Sequence, residues 1–190
     1  MEIVQATRAD YEGILALHRV YHTDYIRDED RPDGFVTTNF TPEQLLALIA
    51  DEKGVTIAKD DDGRVVAYAM AASWKFWSDW PLFSHMIGEL GRYRHDGVQL
   101  TTENSYQYGP VCLDRKVRRS GLFQDVFYAS LKSMQARYPF MVTFINKKNG
   151  RSEAAHTQKV PLVIEGTFRF NDNDYLLLAC KTSLENPAGT

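Results

Sequence analysis

Arg115-Lys116-Val117-Arg118-Arg119-Ser120-Gly121-Leu122-Phe123 places four cations within five residues, in a chain whose formal net charge is −3. Before it runs Tyr106-Gln107-Tyr108-Gly109-Pro110-Val111-Cys112-Leu113, apolar and aromatic, which reads as a strand. After it, Phe123, Phe127, Leu131 and Met134 recur at helical spacing, so residues 122–137 read as an amphipathic helix. A strand, a basic glycine-containing turn and a helix together make a phosphate cradle. The first helical turn offers unpaired amide N–H groups and the positive end of the helix dipole. Gly121 lets a ligand approach the backbone closely. A solvated basic turn is the plain alternative.

The strand before the cradle carries its own irregularity. Pro110 cannot donate to a ladder and Gly109 weakens one, so the pair marks a bulge or an edge. Outward from this centre the elements alternate. Residues 2–6 form a short strand. Thr7 caps a helix over residues 10–21, with Asp10 in its first turn. Residues 23–39 are a polar loop or short helices. Thr41-Pro42-Glu43-Gln44 is a helix start with cap, first-position proline and capping-box glutamine. Strands follow over residues 55–59 and 64–73, joined by a turn at Asp62-Gly63. Residues 74–97 are an aromatic insertion with a helix opening at Pro81 and running to about Leu90. Beyond the cradle helix come a strand over 140–145, a short helix over 152–158, and a terminal hairpin of strands over 162–170 and 175–181. The order predicts an α/β mixed sheet with helices on both faces, one domain over residues 1–182 and a frayed tail over 183–190.

Composition narrows the function classes. The chain of 190 residues is 44% hydrophobic and 25% charged, enough for one domain with a real core. Its slight negative charge gives no global field for nucleic acid or an anionic membrane. The two cysteines, Cys112 and Cys180, have no partner at metal-ligand spacing, so no metal is expected and the compartment reads as reducing. No signal peptide or spanning stretch is visible, and a cytoplasmic protein is the expectation.

Arg118-Arg119-Ser120-Gly121 resembles the Arg/Gln-x-x-Gly-x-Gly/Ala signature of the GNAT acetyltransferases, with Phe123 where the signature has a small residue. Asn149-Gly150-Arg151-Ser152-Glu153-Ala154-Ala155-His156 is similar to that family's Asn-x-x-Ala/Ser-x-x-x-Tyr segment. His156 takes the tyrosine's place, as in the phosphinothricin-acetyltransferase-like branch, and Lys159-Val160-Pro161 stands where Leu-Gly-Phe is usual. The resemblance implies a twisted, mostly antiparallel sheet splayed between its fourth and fifth strands. It implies acetyl-CoA as co-substrate, its pyrophosphate on Val117, Arg118, Arg119, Ser120, Gly121, Leu122 and Phe123. Its pantetheine arm would lie on the fourth strand near Cys112 and Leu113, with Asn149 and Ser152 beside it.

The implied reaction is direct attack by an amine of a small molecule, amino acid or peptide. A backbone N–H near Cys112 or Leu113 would hold the oxyanion. His156, with an ordinary pKa near ~6.5, would protonate the leaving thiolate. Glu103 and Tyr108 are the candidate general bases. A lone cysteine without a His-Asp partner makes Cys112 a packing residue rather than a nucleophile. Tyr21, Tyr25, Trp74, Trp77 and Tyr108 are candidate acceptor-binding residues. For the tryptophans, core packing competes with a pocket role, and a homodimer contact is a third use. Asp24, Asp28, Glu29 and Asp30 could draw a cationic amine, or simply be a solvated run. A GNAT-fold module that holds acyl-CoA without turning it over is the alternative function.

Overall fold

The computed structural model describes residues 1–187. Its centre is a seven-stranded sheet of β1 (Glu2–Gln5), β2 (Val55–Lys59), β3 (Val65–Ala72), β6 (Ser105–Leu113), β7 (Phe140–Asn146), β8 (Val163–Phe170) and β9 (Asn173–Lys181). The spatial order is β1-β2-β3-β6-β7-β9-β8. Every neighbouring pair is antiparallel except β6–β7. A separate hairpin of β4 (Arg94–His95) and β5 (Val98–Gln99) lies outside this sheet, so β6 and β7 are the sheet's fourth and fifth strands.

Helices cover both faces. Ile14 and Leu17 of α1 (Tyr11–Tyr21) and Leu45 and Leu48 of α2 (Pro42–Ala50) pack with Ile57, Tyr68 and Met70 on one face. Val126, Phe127, Leu131 and Met134 of α5 (Leu122–Met134) pack with Ala69, Tyr106 and Met141 on the other. The expected starts are present. The Thr41 hydroxyl accepts from the Gln44 amide at 3.2 Å, and the Gln44 side chain accepts from Thr41 N–H at 2.9 Å. The Asp10 carboxylate accepts from the Thr7 amide at 2.8 Å and hydroxyl at 3.0 Å, closing a short 3₁₀ turn before α1. The expected helix over residues 10–21 therefore starts one residue later.

The insertion folds as α3 (Trp74–Trp77), α4 (Pro81–Glu89) and the β4–β5 hairpin. The hairpin is not among the sequence expectations. Past the sheet, α6 (Gly150–Gln158) joins β7 to the terminal hairpin. Of the tail expected to fray, Asn186 donates to the Asp125 carboxylate at 3.3 Å; residues 188–190 lie outside the described residues.

The feature that positions the site is the β6–β7 seam. Ser105, Tyr106 and Gln107 pair with Phe140, Met141 and Val142; among the described residues the two strands make no pairing beyond these three positions. β7 then follows β9 to Asn146, and β6 follows β3 to Leu113 with a register shift opposite Gly109 and Pro110. The divergence begins just before Gly109 and Pro110, where β6 shifts register against β3 and Pro110 has no N–H to give to a ladder.

Candidate active site

Two cavities lie along this opening. The larger, about 360 Å³, is bounded by residues 107–111 of β6, residues 143–146 of β7, Leu82, Phe83 and the segment 35–38. The smaller, about 170 Å³, runs toward the cradle and is lined by Cys112, Leu113, Arg118, Arg119, Phe123, Arg151 and Lys159 among others. Val111, Asn149, Ser152 and His156 line both, as do Phe35 and Val36. The two spaces therefore meet at His156.

Arg119 has φ +74° and Gly121 φ +87°, so the cradle turns through the left-handed region twice before α5 begins. Such turns aim successive amides into one concavity. Among the described residues, the N–H groups of Arg119, Ser120 and Gly121 make no hydrogen bond. A Cβ built on Gly121 would meet nothing within 4 Å, so the space above it is open. Arg118, Arg119, Arg151 and Lys159 line the smaller cavity without an aspartate or glutamate among its described lining. Unspent amides and four cations suit a pyrophosphate. Arg118 also braces the loop: its Nε donates to Leu113 O at 3.0 Å and its guanidinium lies 4.8 Å over the Tyr21 ring. Val117, Ser120, Gly121 and Leu122 line neither cavity with their side chains; Leu122 is core and Val117 packs against it.

The edge of β6 that faces the opening offers the next donors. Asp114 N–H bonds Val66 O on β3. Alternation along an antiparallel strand turns the Cys112 amide to β3 as well and aims those of Val111 and Leu113 into the gap. Of the two expected oxyanion donors, Leu113 is suitably turned and Cys112 is not. Val111, not foreseen from sequence, is turned the same way and sits where the cavities join. Burial pushes the Cys112 thiol up to about 12, against any role as nucleophile.

Asn149 caps α6: its Oδ1 accepts from Ser152 N–H at 3.1 Å. One turn on, His156 Nδ1 lies 2.7 Å from Ser152 O. A carbonyl only accepts, so Nδ1 carries the proton and the neutral ring keeps Nε2 as an acceptor. Burial pulls the His156 pKa down to about 4 against the partial support of that carbonyl. His156 is thus neutral near pH 7, which corrects the expectation of an ordinary imidazole standing ready as an acid. Phe123 packs edge-on against the same ring, centroids 5.1 Å apart. The bulky departure from the signature forms a wall of this pocket.

Other expected residues lie elsewhere. Glu103 is exposed, accepts from the Thr102 hydroxyl at 2.7 Å, and precedes β6 at the end where β6 and β7 are joined, so it lines neither cavity. The Tyr108 hydroxyl is buried without a partner, and burial pushes its pKa well up, which removes it as a base. Its position on β6 does line the larger cavity. Tyr21 lines the cradle side, its hydroxyl accepting from Arg115 N–H at 2.7 Å. Tyr25 is 71% exposed and lines only a surface depression with Arg27 and Asp30. Trp74 and Trp77 are core. Trp74 Nε1 donates to Ser105 Oγ at 3.0 Å, and Trp77 stacks on Phe83 at 4.6 Å. The insertion reaches the cavity through Leu82 and Phe83 of α4 instead.

No family model and no curated protein matches the chain. Solved structures do. An N-acetyltransferase from Staphylococcus aureus Mu50 superposes with a TM-score of 0.61 at 16% identity, covering 96% of this chain and 98% of that one. A GNAT-family acetyltransferase from Listeria monocytogenes 4b F2365 gives 0.59 at 13% identity over 95% and 94%. A ribosomal-protein-alanine N-acetyltransferase from Brucella melitensis gives 0.57 at 18% identity over 95% and 99%. The chain has the fold of the GNAT acetyltransferases. At these identities the likeness speaks for fold, and activity has to be argued from the site.

Proposed function

We propose that this chain is an acetyl-CoA-dependent N-acetyltransferase that works by direct attack of an amine in a ternary complex. The observation that carries the reading is the meeting of the two cavities at Val111, Ser152 and His156. One cavity ends in a cationic cradle with unspent amides, the other opens between aromatic, aliphatic and neutral polar walls with Lys148 as its one lysine or arginine among the described lining.

Acetyl-CoA supplies an activated acyl carbonyl as a thioester. The cradle amides of residues 119–121 hold the pyrophosphate, and the β7-facing edge of β6 pairs with the pantetheine amides as an added strand would. Val111 or Leu113 N–H donates to the oxygen that gains charge. His156 Nε2, the acceptor nitrogen of a neutral ring, takes the proton released as the amine nitrogen bonds to the carbonyl carbon. It returns that proton to the sulfur as the carbon–sulfur bond breaks, so the ring ends as it began.

The test is turnover. With acetyl-CoA and an amine panel, thiol release should accompany N-acetyl product detected by mass. His156→Gln should lower kcat by roughly 100- to 10,000-fold while acetyl-CoA affinity holds within a few-fold. Binding of acetyl-CoA without product from any amine would favour a non-catalytic acyl-CoA-binding module.

A further inference from the structure

The larger cavity has an uneven charge. Among its described lining residues there is no aspartate or glutamate, and Lys148 is the single lysine or arginine. The remaining wall is aromatic, aliphatic or neutral polar. Lys148 follows the end of β7 and lines the cavity with Asn146, Asn173 and Tyr175. Its Nζ lies 3.0 Å from Asn173 Oδ1, and its amide donates to Asn146 Oδ1 at 2.9 Å. A lysine held by a neutral amide keeps its full charge available, unlike one held by a carboxylate.

The polar groups on the rest of the lining are neutral. Gln107 is buried, with Nε2 donating to Tyr108 O, and His156 is uncharged near pH 7. A site with no fixed anion gives an ammonium group nothing to pair with, which suits the neutral amine that must attack. The acidic run of the preceding loop does not change this balance. Asp28 pairs with Arg31 at 3.1 Å, Glu29 with Arg27 at 2.8 Å, and Asp30 with Arg27 and Arg115, each at 2.8 Å. Asp24 lies 3.5 Å from His22, and none of the four lines either cavity. The acidic run therefore supplies no carboxylate to the described lining of either cavity.

We infer that the acceptor is an amine carrying a carboxylate, its anionic end held by Lys148 and its amine directed inward toward His156. The inference rests on the acetyltransferase reading and narrows it to amino-carboxylates over monocationic and dicationic amines. The experiment begins with calorimetric titration of acetyl-CoA into the intact chain. Matched acceptors then differ by one carboxylate: L-phenylalanine against 2-phenylethylamine, L-methionine against 3-methylthiopropylamine, and 4-aminobutanoate against propylamine. The expected result is at least one pair in which the amino-carboxylate leads by about tenfold or more in kcat/KM. In Lys148→Ala that lead should shrink at least about threefold, and in Lys148→Arg it should persist. Lys148 is exposed, so the variants should fold. The inference is overturned if the decarboxylated amines are equal or better, if Lys148→Ala leaves the ratio unchanged, or if other amines are acetylated and no amino-carboxylate is. Failure of acetyl-CoA to bind, or binding without product from any amine, sinks the acetyltransferase reading, and this inference with it.

Discussion

Lowering pH should destabilise this protein through the buried ring of His156. Burial holds the His156 pKa at about 4, against an unfolded value of 6.5. The unfolded chain therefore binds the proton first as pH falls, and stability drops as pH goes from about 6.5 to about 4, levelling below that. The sign is that of a depressed histidine: the stability is complete above the unfolded pKa and lost below it. A depression of this size corresponds to about 3 kcal/mol. For a domain of this length that is roughly 6–12 °C in Tm. His18 carries a similar depression to about 4, from burial, with Nε2 donating to Thr38 O at 2.9 Å and Nδ1 accepting from the Tyr68 hydroxyl at 2.7 Å. His156→Gln should thus remove about half of the acid sensitivity these two rings produce. The assay is Tm against pH from 7.5 to 4 for both proteins, with imidazole Cε1 shifts followed by NMR. A His156 resonance titrating near 6.5, or parallel Tm profiles, would refute this reasoning.

Gly121→Asp should weaken coenzyme A binding at least about tenfold by calorimetry, because it adds negative charge at the cradle and strains a φ of +87°; unchanged affinity in a folded variant removes the cradle assignment. Trp77→Ala should cost about 3–5 kcal/mol in denaturant melts and leave acceptor preference alone, since the ring is fully buried. Phe83→Ala should do the converse in part, shifting the order of acceptors because this ring lines the cavity; an unaltered order argues that the wall lies elsewhere. Glu103→Gln should leave kcat within about twofold, and a loss of about 100-fold would restore it as a base.

Much of the fold was legible because its signals are local. The Thr41-Pro42-Glu43-Gln44 cap, the Asp62-Gly63 turn and the apolar period of α5 each fix an element without distant partners. The β4–β5 hairpin has the same kind of signal in Asp96-Gly97, both at positive φ. Its strands are two residues each, too short to show alternation, so the turn lacked flanks that identify a hairpin. The cradle and His156 could be found from spacing along the chain. Val111, Thr143, Lys148 and Tyr175 could not, because their relation depends on where β6 leaves β7. The state of His156 was hidden for a further reason. Its pKa is set by burial against Phe123 and by one carbonyl, which no spacing records. The tryptophans stayed open between core and pocket because large aromatics serve both, and the full burial of Trp77 and the bond of Trp74 to Ser105 place them in the core.

The central claim is that the opening between β6 and β7 holds a thioester beside His156. Its most direct test is a crystal structure of the chain grown with acetyl-CoA. The account predicts pyrophosphate density on the amides of residues 119–121, pantetheine along the β7-facing edge of β6, and the thioester carbon within about 4 Å of His156 Nε2. Coenzyme A bound outside this opening, or bound in it with the thioester directed away from His156, would contradict it.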